Sequence, residues 1–585
     1  MALAIRPFEM TAEEASQAEA DSANPPPRGF SLRPDGIHYE VEKDGESEWR
    51  WLCSPIRVLA LPRGADGKGW GRLVEIVDPD GNRHRWAMPA ELFAGDGTEL
   101  RRECMRLGLR LSTSRNARAV FSDLLQTWTP EVRATTAERL GWADETCSAF
   151  VLGSGRVIGD DNVVFQSEHA PGAAAEMRCS GTLEQWRDSV GAACTGNPLM
   201  IVAVSLAFAG ALLEPLQTEG GGLHLRGASS RGKSTILRAA VSVWGSPRFL
   251  QSWRATSNGL EGTAAACNGS LIALDEMGEI SAREAGATAY MLANGQGKAR
   301  ATRAGTARPA ARWRTAILSS GEIRLADKLA EAGQRVRAGQ EVRLLDIQAD
   351  GRLYGAFDIL HDHADAAAFS EAVTRMAAAA YGTAGPAFVE RLVVDMEEAT
   401  RQSRAFASGF KDHAMQRFDL VSEGQTSRAL ARLGLIAAAG ELATAWGISG
   451  WPAGSARDAA LDVFGLWLAG RGGAGPTEAR EALQRLRAFI SAHGISRFED
   501  LDEEDARPVL NRAGWRSGTT YYISADAWRD IHSGADTVDA ARHVRDAGYL
   551  APGDGNNLAQ RAPRSVPNRP RVYVVSGEIL GAGDD

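Results

Sequence analysis

Residues 223–238 read LHLRGASSRGKSTILR. The first four read as a buried strand. The next eight, Gly227-Ala-Ser-Ser-Arg231-Gly232-Lys233-Ser234, fit the pattern G-x-x-x-x-G-K-[ST], and the spacing predicts a helix over Thr235–Val243. Glycines let the backbone curl until its N–H groups face one point, and a helix that starts there adds its positive end. The arrangement predicts a cradle for the phosphates of a nucleotide, built from Gly227, Arg231, Gly232 and Thr235. Lys233 would reach the β- and γ-phosphates, and the Ser234 hydroxyl would ligate magnesium. ATP and Mg²⁺ are the expected ligands.

Downstream, LIALDE at residues 271–276 reads as a buried strand ending in two carboxylates. Asp275 would hold the metal through water, and Glu276 would orient or deprotonate an attacking water, as phosphate hydrolysis requires. A second apolar run, Thr315–Leu318, ends in Ser319 and Ser320. Either hydroxyl could face the phosphates. Strands alternating with helices predict an α/β fold around a parallel sheet.

Between these two strands lies KARATRAGTARPAARWR, residues 298–314, which holds no acid in a chain of net charge −9. Small and basic residues alternate about Ala304–Gly305, the pattern of a two-stranded ribbon. Lys298, Arg300, Arg303 and Arg308 on such a ribbon would bind the phosphates of single-stranded DNA without regard to sequence. A solvated basic loop or an inter-subunit ion-pair surface has the same composition.

The chain has 585 residues, 44% hydrophobic and 24% charged, room for three to four domains. Residues 1–28 are polar and proline-terminated, a disordered leader. Residues 29–180 carry strand-like runs with turns at Asp44–Gly45, Asp66–Gly67 and Asp80–Gly81, a β-rich domain; Ala90–Leu111 within it reads as helical. Residues 181–360 hold the nucleotide-binding core, 361–475 are helical, and 476–585 form a small separate domain. Its order of helices, short strand, basic loop (Arg561, Arg564, Arg569) and final strand Arg571–Val575 suggests a winged helix, a fold that often contacts DNA. The six cysteines are scattered without metal-ligand spacing, as expected of structural thiols. The apolar stretch Leu199–Leu213 is too short to span a bilayer. With no signal-peptide pattern at the N-terminus, the expected location is cytoplasmic, with no membrane partner.

The order of these motifs resembles the hairpin-bearing AAA+ clade, which includes MCM helicases and superfamily-three viral helicases. More closely, the words GLHLRGASSRGKSTILRAAVSVWGSP, LIALDEMGEI and GQRVRAGQEVRLLDI resemble a family of phage, prophage and plasmid proteins of uncharacterised domain type, related to the MCM-like helicases of staphylococcal mobile elements. The resemblance covers about residues 29–480. It implies an AAA+ P-loop core with a helical lid, assembled as a hexameric ring with ATP between subunits and the basic hairpin in the pore. It also implies a sensor-one role for Ser319 or Ser320, and a trans arginine finger at Arg343, with Arg335 and Arg337 as rivals. A sensor-two arginine would be Arg428 or Arg432. The implied activity is an ATP-dependent DNA helicase or translocase of a mobile element, with initiator or replication proteins as further partners. An AAA+ remodeller, loader or packaging ATPase that does not act directly on DNA is the alternative. MCM-type zinc-finger cysteines and a primase motif are both missing.

Overall fold

The computed structural model describes residues 24–43, 45–166, 172–301, 307–308, 310–333, 342–420, 424–471, 477–503, 509–533 and 535–581. Most of the expected leader, with Arg303, Arg335 and Arg337, lies outside them. The chain forms two compact units, one of Met1–Ala414 with Ala429–Leu466 and the other of Met415–Arg428 with Trp467–Asp585.

The first unit begins with strands β1 (Phe30–Arg33), β2 (Gly36–Lys43), β3 (Glu46–Cys53), β4 (Ile56–Gly64), β5 (Gly71–Val77) and β6 (Arg83–Pro89). The first three form an antiparallel sheet. The others join β7 (Arg133–Ala137) and β11 (Val163–Phe165) in the order β11-β7-β4-β5-β6, while β8 (Gly141–Trp142), β9 (Ala149–Val151) and β10 (Val157–Gly159) form a small antiparallel sheet. Leu52, Val58, Val74 and Ile76 pack against Leu100, Phe121 and Leu124 of helices α1 (Thr98–Arg106) and α2 (Ala117–Thr127). The stretch Ala90–Leu111, expected to be helical, is helical only in part. A short 3₁₀ turn, Ala90–Phe93, is separated from α1 by Gly95-Asp96-Gly97, where Gly97 takes a φ of 69° and the Asp96 carboxylate accepts from the Thr98 N–H. A turn needing that φ outweighs the helical pattern around it.

Helix α3 (Pro198–Leu212) starts on a proline at its first turn and is buried on every side, as an apolar helix in a core must be. It packs on a parallel sheet of β12 (Gly221–Arg226), β13 (Gln251–Ser252), β14 (Leu271–Asp275), β17 (Ala316–Gly321) and β18 (Leu344–Gln348). The strand order is β13-β14-β17-β12-β18, and every pairing is parallel. Burial on both faces explains the apolar runs Leu271–Leu274 of β14 and Ala316–Leu318 of β17. Between them run α4 (Lys233–Val241), α5 (Ser257–Ala266) and α6 (Ala282–Asn294), followed after β17 by α7 (Leu325–Ala330). Strands β15 (Arg300–Ala301) and β16 (Ala307–Arg308) form a separate two-stranded ribbon. Helices α8 (Ala366–Ala379) and α9 (Ala384–Val394) complete the unit, with parts of α10 (Met396–Arg417), α11 (Gly424–Ala445) and α12 (Ser455–Arg471).

The second unit holds α13 (Thr477–His493), α14 (Ala525–Ile531) and α15 (Thr537–Asp546) with strands β19 (Phe498–Asp500), β20 (Gly514–Ser517), β21 (Thr520–Ser524), β22 (Leu550–Ala551), β23 (Gln560–Arg561) and β24 (Arg571–Ser576). The sheet runs β19-β20-β21-β24-β22, and β23 also pairs with β24. Leu486, Ile490, Phe498, Trp528, Val544 and Val575 form its core. Among the described residues no helix is long and apolar enough to cross a membrane.

Candidate active site

A parallel sheet gathers the loops that follow its strands at one end, and here three adjacent strands each deliver a polar side chain. Strand β12 ends at Arg226 and the chain turns through 227–232 into α4. Gly232 caps that helix with a φ of 95°, and a Cβ there would stand 2.5 Å from Cζ of Phe357. Glycine is needed at that position for both reasons. The Lys233 side chain is buried and donates to the carbonyls of Gly227 (2.8 Å) and Ala228 (2.7 Å) across the loop. Asp350, just beyond β18, accepts from the Ala228 N–H at 2.8 Å, and that bond holds its carboxyl below the usual range. The carbonyl of Arg231 accepts from Ala356 N–H at 2.9 Å, while the Arg231 side chain is exposed. Thr235 is buried in the first turn of α4.

On β14, Asp275 Oδ1 accepts from the Ser234 hydroxyl at 3.3 Å and from the Ser320 hydroxyl. One hydroxyl beside one carboxylate suits magnesium, which takes the rest of its shell from phosphates and water. The next residue, Glu276, holds a left-handed conformation (φ 58°, ψ 76°). Its N–H donates to Ser320 Oγ at 3.3 Å, and its Oε1 accepts from Gly278 N–H at 3.3 Å. A left-handed glutamate is uncommon and costs about 1–3 kcal/mol.

Strand alternation separates the two serines. Ser320 faces Asp275 and Glu276, whereas Ser319 points into the core. There it bonds His224 Nδ1 and Trp253 Nε1, both at 2.9 Å. His224 Nε2 lies 2.9 Å from the carbonyl of Ile323, which can only accept. Nε2 therefore carries the proton, Nδ1 accepts from Ser319, and Trp253 donates to the same hydroxyl. Burial pushes the His224 pKa down, so the ring stays neutral.

The opposite end of the sheet holds a second cluster. The carbonyl of Arg343 accepts from Gly222 N–H at 2.8 Å, which fixes Arg343 at the start of β12. Six residues at about 3.3 Å each put it about 20 Å from the loop at 227–232. Its guanidinium lies 4.9 Å over the ring of Tyr290 and pairs with Glu219 at 3.1 Å. Arg343 is 19% exposed and its Nε has no hydrogen-bond partner among the described residues. Arg432 of α11 donates to the carbonyl of Val342 at 3.3 Å. Burial pulls its pKa down to about 10, Glu219 raises it, and neighbouring Arg343 lowers it. Gly221 (φ 130°) leaves the space this guanidinium fills, since a Cβ would stand 2.5 Å from Arg432 Nη1. Arg428 is exposed and belongs to the second unit.

The basic ribbon pairs Arg300 with Arg308 and Ala301 with Ala307. Its base is fixed by Gly297 N–H donating to Ala311 O at 2.8 Å and by buried Trp313, whose Nε1 donates to Leu292 O at 2.9 Å. Lys298 is exposed there. Arg314, at the end of the basic stretch, is bound elsewhere, in an ion pair with Glu214 at 3.1 Å.

The structure thus brings Lys233, Ser234, Asp275, Glu276 and Ser320 together at one end of the sheet, and Arg343 and Arg432 at the other. Sequence reasoning missed Asp350, Phe357, His224, Glu219 and Tyr290. Each acts across more than fifty residues of chain, and no local pattern marks such a partner.

A family model described as "Domain of unknown function (DUF927)" matches residues 30–312. Among solved structures, the chain is similar to "SCCmec type IV Cch - active helicase", with a TM-score of 0.70 at 18% identity over 94% of this chain and 99% of that one. At that identity the likeness is one of fold, a mixed α/β architecture shared with a helicase. No curated protein sequence matches.

Proposed function

We propose that the chain is an ATP-dependent DNA helicase or translocase of a mobile genetic element, with an AAA+ core that hydrolyses ATP between the subunits of a ring. The observation that carries this reading is the meeting of Lys233, Ser234, Asp275, Glu276 and Ser320 at the ends of three adjacent parallel strands. The fold likeness to a solved helicase and the strand order around β12 agree with it.

In this reading Lys233 leaves the carbonyls of Gly227 and Ala228 for the β- and γ-phosphates. A magnesium ion held through Ser234, and across water by Asp275, would neutralise charge on those phosphates. Glu276 accepts a proton from water as the water oxygen bonds to the γ-phosphorus and the bond to the β–γ bridging oxygen breaks, leaving ADP and phosphate. Ser320 fixes Asp275 and the Glu276 backbone and takes the sensor-one role; Ser319 is committed to the core. Arg343 and Arg432 lie too far from their own loop to serve it, which supports both acting in trans, as finger and sensor-two residue. Arg343 is the finger assigned here over Arg335 and Arg337.

The ribbon at 300–308 would grip single-stranded DNA in the ring's pore. Like charges directly opposite each other weaken a ribbon, and the register of Arg300 on Arg308 makes sense where a polyanion lies across both. We read residues 29–180 as a β-rich N-terminal domain, 181–360 as the core, 361–475 as a lid and 476–585 as a winged-helix-like module.

The test is ATP hydrolysis with and without single-stranded DNA across a salt series. Stimulation that falls steeply with salt is expected of a phosphate-tracking motor. Changing Lys298, Arg300 and Arg303 to alanine should abolish the stimulation and spare ATP binding. Stimulation that persists in the triple variant rules out the ribbon as the grip, and a rate indifferent to DNA in the parent chain favours a remodeller or loader.

A further inference from the structure

The second unit carries a basic hairpin of its own, built from β23, the loop 562–570 and β24. Residues 555–577 include Arg561, Arg564, Arg569 and Arg571 and not one acid. All four arginines are exposed, and none has an ion-pair partner among the described residues. In a chain of net charge −9 with many arginines held in ion pairs, such a run is unusual.

The register sharpens the point. Arg561 stands directly opposite Arg571. Two like charges in register on an antiparallel pair oppose the pairing, and two residues of strand offer little to offset that. The hairpin is held from below instead. Ala562 and Val566 of the loop pack with Trp515 and Val572 in a small cluster of their own. Within the loop Ala562 N–H donates to Pro570 O at 2.9 Å, and Arg569 Nε donates to Ala562 O at 3.0 Å. Pro563, Pro567 and Pro570 stiffen it further. The result is an edge whose outer surface is cationic and whose charges lack a counterpart among the described residues.

We infer that this edge binds the phosphodiester backbone of duplex DNA, a contact separate from the grip on single-stranded DNA proposed for the ribbon at 300–308. The edge offers guanidinium groups, which match phosphate oxygens in pairs. Residues 559–572 contain no aromatic side chain, and Tyr573 of β24 is stacked on Trp528, so the edge offers no free ring on which unpaired bases could stack. A surface that reads charge alone favours the form with the denser phosphates, which is the duplex. The inference extends the DNA-motor reading to a second binding surface and depends on that reading only for the choice of polyanion.

The test uses the full chain without nucleotide. Binding of a fluorescein-labelled blunt duplex and of a labelled single strand of equal length is followed by anisotropy across a salt series. The parent is compared with the triple variant Arg561→Ala, Arg564→Ala, Arg571→Ala, which leaves Arg569 to hold the loop. We expect duplex affinity to fall about tenfold or more and the slope of log K against log salt to shrink by about 2.7, three phosphate contacts at about 0.9 each. Single-strand affinity should change less than about threefold, because the ribbon at 300–308 is intact. The matching triple lysine variant should keep most of the slope, which separates lost charge from lost folding. Unchanged duplex affinity and slope in the alanine variant overturn the inference. An equal loss on single strand and duplex overturns the assignment to duplex. A chain whose hydrolysis ignores DNA, yet whose duplex binding needs these arginines, overturns the motor and leaves this inference standing.

Discussion

The two ends of the parallel sheet are chemically opposite. At the ends of β12, β14 and β17 a lysine, two serines and two carboxylates converge, and each of the five residues has a hydrogen-bond partner at that end. At the start of β12 and β18 two arginines crowd together with one carboxylate between them, and that carboxylate, Glu219, is 70% exposed. The first end is self-contained, while the second has more positive charge than it can use. A residue is placed in an active site either by reaching it within the chain or by being left unspent at a surface where a second copy arrives. The difference between the ends teaches that Lys233 and Arg343 are candidates of these two different kinds.

The sharpest way to break that contrast is a mixing experiment. Lys233→Ala should abolish nucleotide binding and hydrolysis together. Arg343→Ala should leave binding intact and lower hydrolysis by about 10³-fold, the low end of what a trans arginine supplies. On the ring reading each variant alone should be inactive, while a mixture would form interfaces that join an intact loop to an intact arginine. Hydrolysis should therefore reappear on mixing, with a maximum near equal amounts. If the mixture stays as inactive as its parts, Arg343 does not act across an interface and its pairing with Glu219 and Tyr290 is structural.

A smaller effect separates the two serines. Ser320→Ala removes the hydroxyl that bridges Asp275 and the Glu276 N–H, and hydrolysis should fall by about 10²-fold. Ser319→Ala leaves the Trp253 N–H and His224 Nδ1 buried without a partner, which costs about 1–3 kcal/mol of stability. Denaturant melts should register the second change and hydrolysis rates the first. The reverse outcome would mean that the strand turns between the two residues in the working state.

This pair also shows how far the sequence could be read. The strand at 315–318 and the small polar residues ending it were legible from the apolar run alone. Which serine faces the phosphates depends on the phase of the alternation, and His224 on the neighbouring strand reveals that phase. The loop at 227–234 was legible because its backbone geometry demands particular residues at fixed spacing. The ribbon at 300–308 was legible because alternation has a period of two. The helical reading of Ala90–Leu111 failed at Gly95-Asp96-Gly97, where a left-handed turn outweighs helical patterning. Asp350 at the loop 227–232 and Glu219 at the far arginines could not be anticipated, because nothing near either residue in the chain announces a partner more than a hundred positions away.

The smallest effect concerns that last carboxylate. Glu219→Gln removes the counter-charge of Arg343 and the group that raises the Arg432 pKa. Glu219 is largely exposed, so the ion pair itself is worth less than about 1 kcal/mol. The Tyr290 ring still supports Arg343 from below, and the Val342 carbonyl still holds Arg432. Stability should move little, and hydrolysis should stay within about threefold of the parent. If Arg343 works by leaving Glu219 for a neighbouring subunit, the glutamine variant should hydrolyse slightly faster, because one competitor for the guanidinium is gone. A loss as deep as that of Arg343→Ala would instead make Glu219 and Arg343 one unit. The far end of the sheet would then be a structural ion-pair site, and the surplus of positive charge would no longer argue for a partner subunit.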